Sequence, residues 1–179
     1  MEPDHFRFWP ANLPRTIPLP ETSLYRNLEA TTARFPDKAA LIYYGTPLSY
    51  RQFKHDVDAL AGFLQRKAGV KRGDRVLLFM QNSPQFMIAY YAILRADAMV
   101  VPVNPMNKSA ELAHSIGDSD ARVATPAPAL FPVLAPPQGK GLAACVPPAP
   151  ADSRPPLADS PRPTAGRPAR LTPSHPSAR

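Results

Sequence analysis

Two uninterrupted apolar runs, RVLLFM at 75–80 and AMVVPV at 98–103, stand on either side of a segment with helical spacing, and they limit the fold more than any other feature. A strand that is apolar at every position has to be covered on both faces, as in a parallel sheet. Parallel neighbours need a crossover, and the intervening segment supplies one. Ser83 can cap a helix, Pro84 suits the first helical position, and Phe86, Met87, Tyr90, Ile93 and Leu94 recur at helical spacing as its expected core face. A weaker helix over about 109–116, closed by Gly117, leads to a third run, ARVA at 121–124. Strand, helix, strand, helix, strand predicts an α/β fold with a mainly parallel layered sheet and flanking helices.

Upstream the pattern is also regular. Residues 1–20 carry five prolines and predict an extended lead-in. Thr22 or Ser23 can cap a helix whose buried face would be Leu24, Leu28, Thr31 and Phe35, with Pro36 ending it. A short strand from Ala40 to Tyr44 and a Gly-Thr-Pro turn follow. Ser49 and Gln52 have the spacing of a capping box, with Leu48 and Phe53 placed for a hydrophobic staple. Phe53, Val57, Leu60, Ala61 and Leu64 then form a helical stripe, and Gly69 and Gly73 punctuate the turn out.

After Ala124 the composition changes. Residues 125–179 hold fifteen of the 25 prolines and only eight Leu, Ile, Val and Phe, too few for a core of their own. Pro126 and Pro128 meet the third strand, where they cannot donate to a central ladder, so the sheet is expected to stop unfinished. This predicts three regions: a lead-in at 1–20, a partial domain at 21–124 and a disordered tail at 125–179. Exposing roughly 1,000 Å² of apolar sheet would forfeit about 25 kcal/mol. Net stabilities are only about 5–15 kcal/mol, so a marginal domain with an association-prone strand edge is expected.

The net charge of +7 falls mostly in the tail, where Phe131 is the only aromatic residue, so nucleic-acid binding is not expected. The single cysteine, Cys145, excludes an internal disulfide. The opening MEPDHFRFWP has no apolar signal core, and no apolar run is long enough to span a membrane. A cytoplasmic chain is the default expectation.

Chemistry is sparse. The loop after the first parallel strand, QNSP, lacks glycine, and neither GxGxxG, GxxxxGK[ST] nor GxSxG occurs; GKG at 139–141 does not match. His5, His55, His114 and His175 are scattered, and Glu111 with His114 has a di-iron spacing without the second pair such a site needs. Asp118 and Asp120 lack the rest of a calcium loop and read as a turn, as do Asp74 and Arg75. Tyr90 and Tyr91 read as core rather than pocket. From the residues alone, no catalytic, cofactor-binding or metal-binding set is expected.

Three stretches together resemble a known family. FPDKAALIYYGTPLSYRQF, GVKRGDRVLLFMQNSPQFMIAYYAILRADAMVVPVNP and ELAHSIGDSDARV are similar to the N-terminal region of AMP-forming acyl-CoA synthetases, of the adenylate-forming family. LSYRQF resembles that family's first core motif, and ILRADAMVVPVNP its second, with Asp97 where glycine is usual. The lead-in FRFWPANLP resembles the fatty-acyl branch. The resemblance spans about residues 8–124. It implies activation of a carboxylic acid by ATP and magnesium to an acyl-adenylate, then transfer to CoA. The phosphate loop, adenine and ribose contacts, hinge and C-terminal lysine that the family uses have no matching positions here, so an inactive fragment is expected. An out-of-frame tail is the leading expectation. The alternatives are an interaction module, whose tail would present PPAP at 147–150 and PSHP at 173–176 as polyproline ligands, and one half of a split ligase.

Overall fold

The computed structural model describes residues 4–17, 19–134 and 141–146. The lead-in forms a 3-10 turn at Asp4–Phe8, and the described residues between it and α1, Leu24–Arg34, carry no helix or strand. The buried face of α1 is Tyr25 and Leu28, while Leu24 and Phe35 stay exposed. The helix is thus turned about one position from its apolar pattern, because the Tyr25 hydroxyl finds a carboxylate on the next helix.

A hairpin follows, with β1 (Ala39–Tyr43) antiparallel to β2 (Thr46–Ser49). Its turn is Tyr44–Gly45 rather than the expected Gly-Thr-Pro, and both turn residues have positive φ, 47° and 81°. That is the two-residue geometry that matches strand twist, with glycine taking the second position. Pro47 instead lies within β2, opposite Ile42.

Ser49 starts α2 (Tyr50–Arg66) by accepting from the Gln52 amide at 3.2 Å. Gln52 does not reciprocate; its side chain donates to Asp56 at 2.7 Å, so half of the expected capping box forms. The expected stripe is buried in full, from Phe53 through Val57, Leu60 and Ala61 to Leu64, with the staple residue Leu48 buried beside it. In α3 (Pro84–Arg95) the buried residues are Ile88, Ala89, Ala92 and Ile93. Phe86, Met87, Tyr90, Tyr91 and Leu94 are half-buried, so the small alanines, which let α2 and α3 approach closely, define the core face.

The main sheet has the order β4-β3-β5-β6 and every pair is parallel. The strands are β3 (Arg75–Phe79), β4 (Met99–Pro102), β5 (Val123–Pro126) and β6 (Ala144–Cys145), with α4 (Ser109–Ser119) before β5. Val76, Leu78 and Met80 pack in one hydrophobic cluster with α1, α2 and α3. Leu77 and Phe79 pack in a second with Leu112 and Ile116 of α4. Both faces of β3 are therefore covered, as its continuous apolar run requires.

The expected break after Ala124 does not occur there. β5 continues to Pro126, a 3-10 turn spans Pro128–Leu130, α5 spans Phe131–Leu134, and β6 pairs with β5. The prolines are tolerated for a reason of register. The Ala127 amide donates to Phe79 O at 2.9 Å, so alternate residues of β5 face β3 and Pro126 faces the other way. On that side the pairing with β6 ends, among the described residues, with the bond from Val146 N to Ala124 O at 2.8 Å, where Pro126 would be the next donor. The missing N–H thus leaves the ladder with β3 intact and falls where the pairing with β6 stops. Leu134 and Val146 are 0% and 3% exposed and close the second and first clusters respectively. The rest of the predicted tail, 135–140 and 147–179, with PPAP, PSHP and His175, lies outside the described residues.

At the opposite edge, Met99 N donates to Asp74 O and Val103 N to Leu78 O, so Val100 and Pro102 face outward. Pro102 has no N–H, which leaves Val100 as the one outward donor of β4 and makes this edge a poor template for another strand.

Candidate functional site at the carboxyl end of the parallel sheet

The strand order places β4 and β5 on opposite sides of β3, so the chain reverses direction across the sheet between β3 and β5. In open α/β sheets ligands bind beyond the carboxyl ends of the strands at this reversal. Here it is flanked by Met80–Ser83 and by Ala127–Pro128.

A helix N-terminus at such a point is an anion site when its first amides are free. The start of α3 is largely closed. Pro84 removes one donor, and Ser83 Oγ takes the Phe86 amide at 3.2 Å. The Met87 amide returns to Ser83 O at 3.3 Å. Gln81 and Asn82 are exposed. Thr125, buried in β5, spends its hydroxyl on Leu77 O at 3.2 Å.

The neighbouring helix start is closed too. At α4 the Lys108 amide donates to Glu111 Oε2 at 2.8 Å, placing a carboxylate where an anionic ligand would sit. That bond also gives Glu111 a capping role; its spacing to the exposed His114 brings no further ligand. Asn104 folds the preceding loop on itself by accepting from the Met106 amide at 3.0 Å. Among the described residues no three His, Cys, Asp or Glu side chains converge.

The densest set of charged groups lies elsewhere, where α1, α2 and α3 meet. Asp58 accepts from the Tyr25 hydroxyl and from Lys54 Nζ at 2.6 Å, and Arg95 Nε approaches it at 3.7 Å. The Arg95 guanidinium lies over the Tyr25 ring, 4.8 Å from its centre. Burial works against the Asp58 carboxylate, but the bonds from Lys54 and Tyr25 and the nearby charges outweigh it and hold its pKa below the usual value. Burial, then the bond to Asp58, raises the Tyr25 phenol, and the bond to Asp58 raises Lys54. Every group here has a partner on a neighbouring helix or turn, so the set locks three helices together and leaves nothing poised to react. The Lys54–Asp58 pair was legible as an i,i+4 spacing; Tyr25 and Arg95 join it only through tertiary packing.

Asp74 and Arg75, read as a surface turn, also do more than that. Asp74 accepts from the Lys71 amide at 2.8 Å, and Arg75 Nε donates to Ser119 O at 2.8 Å, fixing the end of α4. That helix runs past Gly117 and ends at Asp120, which takes the left-handed conformation. His55 is exposed, and Tyr91 packs edge-on against Phe53 at 5.6 Å as a core neighbour.

A doubly wound, parallel α/β segment with a closed switch point is thus what the residues define. A model of AMP-binding enzymes matches residues 28–173, and the chain belongs to that family. It is 38% identical over 124 residues to the long-chain-fatty-acid–CoA ligase of Bacillus subtilis, covering 69% of this chain and 22% of that protein. To the enzyme of the same name in Escherichia coli O157:H7 it is 39% identical over 114 residues, covering 63% and 20%. Among solved structures it resembles a long-chain-fatty-acid-CoA ligase from Archaeoglobus fulgidus, with a TM-score of 0.69, 28% identity, and 74% and 28% of the two chains covered. It also resembles the N-terminal subdomain of Klebsiella oxytoca NpsA, solved with 3-hydroxybenzoyl-AMSN, with a TM-score of 0.55, 27% identity, and 58% and 26% covered. The chain spans about a fifth of the length of the curated relatives it matches. No helix among the described residues is long and apolar enough to cross a membrane.

Proposed function

We propose that this chain is the leading scaffold segment of a fatty-acyl-CoA ligase and does not activate a fatty acid by itself. In the complete reaction a carboxylate attacks the α-phosphate of ATP, pyrophosphate leaves, and CoA takes the acyl group from the adenylate. Magnesium serves the ATP. The groups that hold those substrates belong to other parts of the fold, and this chain supplies the helices and parallel strands against which those parts are built.

The observation that carries the reading is the closed switch point. Pro84, Ser83 and Glu111 remove or satisfy helix-terminal amides at the place where a phosphate cradle would need them. The reading is tested by grafting residues 24–146 in place of the matching segment of the Bacillus subtilis relative. A scaffold predicts that the chimera keeps the relative's acid preference and adenylation rate to within about tenfold. A folded chimera with a new acid preference would contradict it.

A further inference from the structure

Helix α1 is held to the rest of the fold by very little. Of its 11 residues only Tyr25 and Leu28 are buried. Apart from Tyr25, its side-chain bonds stay within the helix. Arg26 pairs with Glu29 at 3.1 Å, Thr31 Oγ1 donates to Asn27 O at 2.8 Å, and Thr32 Oγ1 donates to Leu28 O at 2.7 Å. Ser23 stands at the N-cap, but its side chain makes no capping bond, and the first turn carries no acid. A helix this short and without those aids is marginal in water, so tertiary contact decides whether it stays in place.

The two ends of α1 are attached differently. Near its start the Tyr25 hydroxyl donates to Asp58 of α2, with Lys54 Nζ 5.7 Å and the Arg95 guanidinium 4.8 Å from the ring centre. Just beyond its end the chain is tied to the start of α2 through the backbone. The Tyr50 amide donates to Lys38 O at 3.0 Å and the Arg51 amide to Pro36 O at 2.8 Å, while Arg51 pairs with Asp37 at 3.0 Å. Between helix and tether, Phe35 leaves the helical conformation at φ −139° and ψ 57°. We infer that α1 is a strap, hinged at Phe35 and latched by Tyr25 on Asp58, that opens as a unit while α2, α3 and the parallel sheet stay folded. Opening uncovers two side chains and breaks one bond to a carboxylate, whereas unfolding the body uncovers both hydrophobic clusters. The closed strap partly covers Lys54 and Asp58 on α2 and Arg95 on α3; the open strap presents them to solvent.

Native-state hydrogen exchange on the full chain at neutral pH, across urea concentrations below the unfolding transition, tests the strap. Amides of residues 28–35 exchange about tenfold or more faster than those of 57–64 in α2 and 76–79 in β3. Their urea dependence is also much shallower, because less surface is uncovered. Tyr25→Phe keeps the ring and removes the donor, and it raises exchange across 28–35 by about tenfold more. Arg26→Gln, on the exposed side, leaves the latch intact and changes that exchange by less than about twofold. The strap is overturned if residues 28–35 share the protection and urea dependence of α2, which would make α1 part of one cooperative unit. It is equally overturned if Tyr25→Phe leaves their exchange unchanged, which would reduce the opening to fraying. The first comparison uses the wild-type chain and so decides even where a variant fails to fold.

Discussion

The Gly73 amide donates to the Asp97 carbonyl at 2.8 Å, and both residues lie in the left-handed region, with φ of 84° and 57°. The bond joins the turns that enter β3 and β4 and so helps set the register of the two strands. Only one of the partners is the residue its conformation favours. Asp97 carries a Cβ where glycine is free, although Asp bears the left-handed conformation better than most residues. Asp97→Gly is therefore expected to stabilise the chain by about 0.5–1 kcal/mol, and Asp97→Val to destabilise it by about 1–2 kcal/mol. Urea melts of the three proteins check the order.

The Asp58 cluster makes a prediction about pH. Its carboxyl titrates below the ordinary aspartate value of 3.8 in the folded chain, so it contributes stability above that value and loses it as pH falls through the folded pKa. Because the cluster is partly exposed, the contribution is modest, about 0.5–1.5 kcal/mol at neutral pH. Asp58→Asn should cost that much at pH 7, and the gap to the wild type should close as the pH is lowered below 3.8. Thermal melts across acid pH read both. An equal gap at every pH would show that the charge contributes nothing.

Leu134 tests whether the Pro-rich stretch belongs to the domain. Its side chain is fully buried against the cluster of Leu77, Phe79, Leu112 and Ile116. Leu134→Ala should cost about 2–5 kcal/mol through lost burial and the cavity left behind. A loose tail would leave the urea midpoint unchanged.

How much of this was legible depends on whether a signal was local. The caps at Ser49 and Ser83, the stripe of α2 and the turn at Gly69 and Gly73, both of which take positive φ, were all readable, because each is decided within a few residues. The faces of α1 and α3 were legible in part: Leu28 and Ile93 are buried and Phe86, Met87 and Tyr90 pack against the core as expected, but Tyr25 turns inward to reach Asp58 and alanines join the buried face of α3. The early break was misplaced because a proline's harm to a strand depends on which side its missing N–H would face. Pro126 faces away from β3, and that follows from strand pairing far along the chain rather than from composition. At the candidate site Ser83 and Pro84 were legible as a cap and a first helical residue. That Pro84 and Glu111 close the helix termini needed the strand order to give it meaning.

The scaffold account is tested most directly by ATP–pyrophosphate exchange with the purified chain, long-chain fatty acid, ATP and magnesium. The account predicts no exchange above a protein-free control. Sustained, fatty-acid-dependent exchange that follows the chain through purification would contradict it, and would mean that this segment binds and activates its own substrates.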